Sequence, residues 1–364
     1  MSPIRWRPIL IWAVAGTAVA VIFTLVNLAS TYDTLGGLVD AGPTDPAAAV
    51  IARDIPGYPT LAAGRHDGQQ YYVIAREPMH PTAAAPGLDR PRYRLQRILF
   101  PWLSWLLHPS GGGEGLIWAM FAVGVAGVLA GSVASGALSM ELGGPAWPAV
   151  AFGLMTGSFT ALRISTPDPL AVAFVFWALW FLLRRRLLWA VLLALAAVLT
   201  KETSLVFLVG FALWRRDRDS VVATVVPAAV ASAWWLWLRL LLPKVGNQVS
   251  EIVLPLTGWV DAVRFWAHGY EPLGLVSAVA AVVVCVEALV KGGLRHPFGW
   301  AILANLGLFA FLSVSAIAPE RSAGRTTMGA LMLAIIVLAT FRRLPDSVVA
   351  LPVRQPNRLR GILS

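Results

Sequence analysis

Asp67 stands in the densest polar stretch of an otherwise apolar chain, Arg65-His66-Asp67-Gly68-Gln69-Gln70-Tyr71-Tyr72-Val73-Ile74-Ala75-Arg76. A carboxylate beside a glycine, close to a membrane surface and flanked by His66 and Tyr71, can accept a proton from a hydroxyl nucleophile as a general base. Partial burial against nearby arginines would set its pKa. The same residue ahead of Gly68-Gln69 also reads as a helix N-cap, and spacing alone favours the cap. Further on, Arg94 and Arg97 lie three apart on one expected helical face. Arginine's planar fork suits phosphate oxygens, so the pair could grip a lipid-linked phosphate. Their alternative use is as interfacial arginines whose stems snorkel. His66 has no second His or Cys at metal-ligand spacing, so no metal is expected. Cys285, within Val282-Val283-Val284-Cys285-Val286, reads as a small core residue, and one cysteine cannot form an intrachain disulfide.

The elements that must position these residues are membrane helices. The 364 residues are 57% hydrophobic and only 13% charged, with mean hydropathy +0.70. A soluble fold could not hide that much apolar surface, whereas several membrane helices can. The net charge of +10 does not indicate a nucleic-acid partner, because the basic residues fall in short clusters between apolar runs. The chain reads as an all-α integral membrane protein.

Apolar runs at 9–29, 113–138, 146–163, 168–183, 187–200, 203–214, 220–242, 272–290, 298–318 and 325–341 predict about ten transmembrane helices. The three runs at 168–183, 187–200 and 203–214 are shorter than the roughly 20 residues of a perpendicular span, so two of them could form a re-entrant pair or a broken helix. If all ten cross from a cytoplasmic N-terminus, one side collects Arg5, Arg7, Arg184 to Arg186, Arg215, Arg216, Arg218, Lys291, Arg295, Arg342 and Arg343. That is the positive-inside pattern. It requires an even number of crossings over 187–214, with the two short helices meeting at Lys201-Glu202. Both termini are then cytoplasmic in the cell's inner (plasma) membrane. The first run reads as an uncleaved signal anchor, since no convincing small-residue cleavage site precedes Ser30-Thr31-Tyr32-Asp33. Residues 1–342 form one polytopic membrane domain, and 343–364 a basic, Pro-containing cytoplasmic tail expected to be disordered.

The large external loop, 30–112, carries short helical patterns at 47–53 and 69–76. From Arg94 to His108, Leu95, Ile98, Leu99, Leu103, Leu106 and Leu107 recur at helical spacing, with Trp102 and Trp105 suited to headgroup depth. This amphipathic segment is expected to lie in the outer interface.

His66-Asp67-Gly68-Gln69-Gln70-Tyr71-Tyr72 followed by Ile74-Ala75, and then Tyr93-Arg94-Leu95-Gln96-Arg97-Ile98-Leu99-Phe100-Pro101, resembles the D-G-x-x-Y-x-x-I-A … F-P pattern of GT-C superfamily glycosyltransferases. The closest flavour is that of bacterial relatives of the glycosylphosphatidylinositol mannosyltransferases. Thr166-Pro167-Asp168-Pro169 opening a helix, Leu199-Thr200-Lys201-Glu202-Thr203 joining two short helices, and Arg321 and Arg325 in the last external loop fit the same pattern, which covers roughly 60–340. The resemblance implies a GT-C-like fold and inverting transfer of one sugar from a polyprenyl-phosphate donor to a glycan or glycolipid acceptor outside the cytoplasm.

By position, Asp67 would be the base, and Arg325 or Arg321 would neutralise the leaving phosphate, helped by Lys201. Asp168 would hold sugar hydroxyls or cap its helix. Glu202 would pair with Lys201 or an arginine, and His66, Gln70, Tyr71, Arg94 and Arg97 would line the substrate site. Asp33 and Asp40 are the only acids soon after the first helix, so no metal cofactor is expected. The orientation derived from charge puts Asp67, Asp168, Lys201-Glu202, Arg321 and Arg325 on one outer face. A residue usage rich in Ala, Gly, Val, Arg and Trp suggests a GC-rich bacterial source, and mannose or a pentose as the sugar. A transporter or lipid flippase with broken helices is the main rival, although no internal repeat and almost no mid-helix charge support it. A non-catalytic membrane scaffold, with Asp67 only a cap, is the third reading.

Overall fold

The computed structural model describes residues 4–31, 35–58, 60, 66–243, 252–269 and 271–344. Asp33, Arg65 and the tail from 345 onward lie outside them. Apart from one antiparallel bridge between Ile252 and Leu312, the described residues are helices and turns. Among the described residues five helices are long and apolar enough to cross a membrane: α1 (Trp6–Thr31) and, further along the chain, those at Glu114–Glu141, Arg218–Leu241, Pro272–Gly292 and Glu320–Thr340. The chain is a helical membrane protein. Its exposed large residues are those of a lipid-facing surface, among them Ile11, Ile22, Val26 and Phe23 on α1.

Between α1 and the second long helix, the described residues of the long connecting segment form five short α-helices: α2 (Pro46–Asp54), α3 (Asp67–Arg76), α4 (Pro81–Ala84), α5 (Pro91–Arg94) and α6 (Leu99–Leu107). The first two match the expected helical patterns. Asp45 caps α2 by accepting from the Ala47 amide at 3.0 Å. The amphipathic segment from Arg94 to His108 is not one helix: a turn at 95–98 separates α5 from α6. The reason is burial. Leu95 and Ile98 turn into the core, while Trp102, Leu106 and Leu107 remain exposed on α6. Arg94 and Arg97 therefore do not share a helical face.

The membrane body follows as α7 (Glu114–Glu141), α8 (Pro148–Gly153), α9 (Thr156–Arg163), α10 (Asp168–Leu183), α11 (Leu187–Thr200), α12 (Ser204–Arg215) and α13 (Arg218–Leu241). It closes with α14 (Thr257–His268), α15 (Pro272–Gly292), α16 (Gly299–Ala310), α17 (Val314–Ile317) and α18 (Glu320–Thr340). Two runs expected to be continuous are interrupted. The run at 146–163 breaks between α8 and α9, where Met155 is extended and Ser158 Oγ satisfies the freed Phe152 carbonyl at 2.7 Å. Gly153 and Gly16 let α8 and α1 cross backbone to backbone, since a Cβ on either would strike the other helix. The run at 298–318 breaks after Ala310, where the loop before α14 takes over the helix-end carbonyls: Val253 N donates to Phe311 O at 2.8 Å and Leu256 N to Ala310 O at 2.6 Å.

Gly68 marks a close approach of the segment between α1 and α7 to the helical body. A Cβ there would collide with the backbone carbonyl of Ile164 and sit 3.2 Å from that of Val39. Neither backbone atom can rotate away, so Gly68→Ala is expected to destabilise the protein by about 1–3 kcal/mol and to move Asp67. A thermal melt in micelles beside the unsubstituted protein checks this; an unchanged melting temperature would contradict the close packing of α3.

Candidate active site

The first residue of α3 is Asp67 itself, with His66 at the N-cap position and no side-chain capping bond. The cap reading of Asp67 fails because its carboxylate is held elsewhere. Oδ1 accepts from Arg94 Nη1 at 2.6 Å, and Oδ2 faces Arg325 Nη1 at 3.4 Å. The same Arg325 nitrogen lies 3.3 Å from Asp168 Oδ2. Asp168 is likewise the first residue of α10 and makes no capping bond; Lys201 Nζ holds its Oδ1 at 2.5 Å. Asp67, from the loop after α1, and Asp168, about a hundred residues later, thus share one guanidinium from α18.

Two further pairs complete the network. Arg94 forms a two-pronged pair with Asp89, at 2.8 Å for both Nε and Nη2. Arg97, in the turn after α5, grips Glu202 with Nε at 2.9 Å and Nη2 at 2.5 Å, and its guanidinium lies 4.6 Å from the Tyr93 ring centre. Glu202 therefore pairs with an arginine and not with its neighbour Lys201. The four carboxylates Asp67, Asp89, Asp168 and Glu202 are matched by the four cations Arg94, Arg97, Lys201 and Arg325.

Burial alone would push the Asp67 carboxyl up, but Arg94, Arg325 and Arg97 outweigh it and hold the group well below the usual carboxylate range. Burial and then Arg97 act in the same opposed way on Glu202, which also titrates below its ordinary value. The Tyr71 hydroxyl is pushed up, chiefly by burial. Arg97 is only 7% exposed, so removing its counter-charge leaves an unpaired cation in a poorly solvated place. Glu202→Ala is accordingly expected to destabilise the protein by about 3 kcal/mol. Unfolding by SDS titration in mixed micelles measures it, and a loss below about 0.5 kcal/mol, the range of an exposed pair, would show the pair to be solvated.

These groups line a cavity of about 1260 Å³. Of the expected site residues, Asp67, Gln70, Tyr71, Arg94, Arg97, Asp168, Lys201, Glu202, Arg325 and His66 all border it. Their roles differ from the sequence reading in three cases. Gln70 is 1% exposed and its amide is engaged at both ends, Nε2 donating to Asp45 at 2.8 Å and Oε1 accepting from Asp89 N at 3.0 Å, so it ties loop segments together. His66 Nε2 lies 3.0 Å from Asp40 Oδ2, and Arg321 Nη1 donates to the same oxygen at 2.7 Å. Arg321 is absent from the cavity lining, which leaves Arg325 as the arginine of α18 that reaches Asp67.

The sequence reading leaves Asp89 out, and it names Asp40 only as an acid after the first helix, not as the partner of His66 and Arg321. Asp89 opens the alternating run Asp89-Arg90-Pro91-Arg92-Tyr93-Arg94, whose charge density is a signal for a local pair. Asp40, buried with a left-handed φ of 52°, sits in an ordinary-looking turn and offers no such signal. Among the described residues no cluster of three or more His, Cys, Asp or Glu side chains could hold a metal ion.

What the arrangement can do follows from exposure and grip. The Asp67 side chain is 26% exposed, whereas that of Asp168 is 4%. Glu202 is equally exposed but locked by a two-pronged arginine. Among the four carboxylates of this network, Asp67 is thus the one that combines partial exposure with an oxygen held only by a long contact, Arg325 Nη1 at 3.4 Å. Comparisons with protein-family models, curated proteins and solved structures found no match, so the chemistry of this cavity rests on its own residues.

Proposed function

We propose that the protein is an inverting GT-C-type glycosyltransferase, moving a sugar from a polyprenyl-phosphate donor to a glycan or glycolipid acceptor on the extracytoplasmic face. The observation that carries this reading is the loosely held Asp67 oxygen facing a cavity lined by Arg325, Arg94, Arg97 and Lys201. In this reading the broken pair α8–α9 and the shorter helices α10, α11, α12 and α16 also cross, giving ten passages with cytoplasmic termini, and the Lys201-Glu202 turn lies on the outer side with Asp67.

The chemistry needs a base that is quiet until donor arrives. In the resting network Asp67 is a poor proton acceptor, because the surrounding guanidiniums stabilise its anion. Of the four network cations Arg325 reaches its carboxylates at the longest distances, 3.4 and 3.3 Å, against 2.5–2.9 Å for the two-pronged and lysine pairs, while its Nε donates to the Arg321 carbonyl at 2.5 Å and leaves Nη1 to turn. A donor phosphodiester brings a new anion, and Arg325 turns toward it. Asp67 Oδ2 then becomes free to take the proton of an acceptor hydroxyl. The hydroxyl oxygen forms its bond to the anomeric carbon from the face opposite the phosphate, the carbon–oxygen bond to phosphate breaks with its electron pair, and polyprenyl phosphate leaves. Arg325 and Lys201 would stabilise the growing phosphate charge.

The test is release of undecaprenyl phosphate from a panel of radiolabelled undecaprenyl-phospho-sugars by purified protein in nanodiscs with added membrane glycolipids. Release from one sugar class supports the reading. No release from any donor by folded protein, together with movement of the labelled lipid between leaflets, would replace it with a flippase.

A further inference from the structure

The cavity carries more positive charge than its inner network can use. Seven cationic side chains and five carboxylates line it, and four of each neutralise one another around Asp67. The remaining carboxylate, Asp45, is committed to the Ala47 amide and Gln70. Of the three remaining cations Arg90 lies 3.7 Å from Asp89, whereas Arg92 and Arg239 meet no carboxylate among the described residues. Arg239 has no hydrogen bond or ion pair there at all and is exposed. Arg92 donates from Nε and Nη2 to the carbonyl of Leu242 at 2.9 and 2.6 Å, leaving Nη1 outside those bonds.

The C-terminal end of α13 brings the two together. Leu242, the residue Arg92 holds, follows Arg239 by three positions, and Trp234 Nε1 anchors the same helix to Leu95 O at 3.0 Å. The Trp234 and Trp237 rings lie 4.9 Å apart on this end, the signature of headgroup depth. The cavity lining also includes the apolar Ile252, Leu308 and Leu312. One exposed and one half-buried arginine in a cavity that also has apolar lining, beside tryptophans suited to headgroup depth, match an anionic lipid: phosphate on the arginines, chain along the apolar residues. A cavity of about 1260 Å³ exceeds the upper end of single small-molecule sites, roughly 1,000 Å³.

We infer that Arg92 and Arg239 form a second anion subsite, separate from the inner network, which holds the phosphate of a membrane-anchored acceptor. The inference rests on the glycosyltransferase reading for the word acceptor, but the subsite itself is a binding claim. A donor phosphate at the inner cations and an acceptor phosphate at Arg92 and Arg239 would place the two substrates' polar ends in one chamber, with the acceptor's hydroxyl reaching toward Asp67.

Native mass spectrometry of the full chain in detergent tests it, with dioctanoyl phosphatidylglycerol, dioctanoyl phosphatidylcholine and undecaprenyl phosphate as probes. Wild type is expected to prefer phosphatidylglycerol over phosphatidylcholine. Arg92→Gln/Arg239→Gln should weaken phosphatidylglycerol about tenfold, the scale of one charged hydrogen bond, while undecaprenyl phosphate stays within about twofold. Because Arg92 also holds the end of α13, Arg239→Gln alone must show the same selective loss in smaller measure. Equal loss of both anionic probes would overturn the inference by making subsite and network one site, and no loss of either would reduce the arginines to snorkelling side chains. If wild type fails to bind undecaprenyl phosphate at all, the glycosyltransferase reading falls, yet the phosphatidylglycerol result still decides the subsite.

Discussion

Asp67→Asn is expected to lower donor turnover by about 10²–10⁴-fold, the usual contribution of a positioned general base, with the fold intact. Asparagine has the shape of aspartate and its oxygen can still accept from Arg94 at the 2.6 Å position. It cannot take a proton, so the acceptor hydroxyl stays weakly nucleophilic. The readout is released undecaprenyl phosphate, measured beside a thermal melt and the SDS titration. A folded variant that turns over donor within a few-fold of wild type would remove Asp67 from the chemistry and return it to a structural role. The neighbouring acid gives a control: Asp89→Asn also loosens Arg94, through both of its prongs, but leaves the Asp67 carboxylate in place. It should therefore reduce turnover far less.

Arg325→Gln has the second largest expected effect, because one guanidinium serves both sides of the reaction. Loss of a positioned charge at the leaving group is expected to reduce turnover about 10²-fold. The substitution also removes one of the cations that hold the Asp67 carboxyl low, second only to Arg94 among them. The pKa of Asp67 in the variant must therefore rise, and the acidic limb of the pH–rate profile must move to higher pH, never lower. This sign separates a catalytic Arg325 from one that merely packs α18 against α10, since a packing defect lowers activity evenly across pH. Arg321→Gln is the comparison: it releases Asp40 and His66 and lies off the cavity, so the limb should stay where it is.

Much of this architecture was readable along the chain. Periodicity does not blur over a run such as 168–183, where nearly every residue is apolar, and α10 occupies that same range. α11 spans 187–200 as expected, because arginines at 184–186 and Lys201 mark its ends with charges that resist burial in hydrocarbon. Ten of the eleven expected site residues border one cavity, since charged groups in a membrane protein collect where water and partners can satisfy them.

What the sequence determined by itself is therefore the class of the molecule, the places of its uninterrupted helices and most of the membership of its polar cluster, Asp89 excepted. All three follow from local composition: apolar length, flanking charge and turn residues act over a few neighbours. The tertiary structure alone decided who pairs with whom. Asp67 and Asp168 each read as an N-cap in their local context, and each instead shares Arg325, 258 and 157 positions away. Glu202 meets Arg97 across 105 positions while its neighbour Lys201 goes to Asp168. The breaks after Gly153 and Ala310 are equally non-local, for the first depends on a glycine of α1 and the second on a loop that supplies replacement hydrogen bonds. Ion pairing, close backbone crossing and carbonyl satisfaction depend on which segments meet in space, and no pattern within a short window of sequence encodes that meeting.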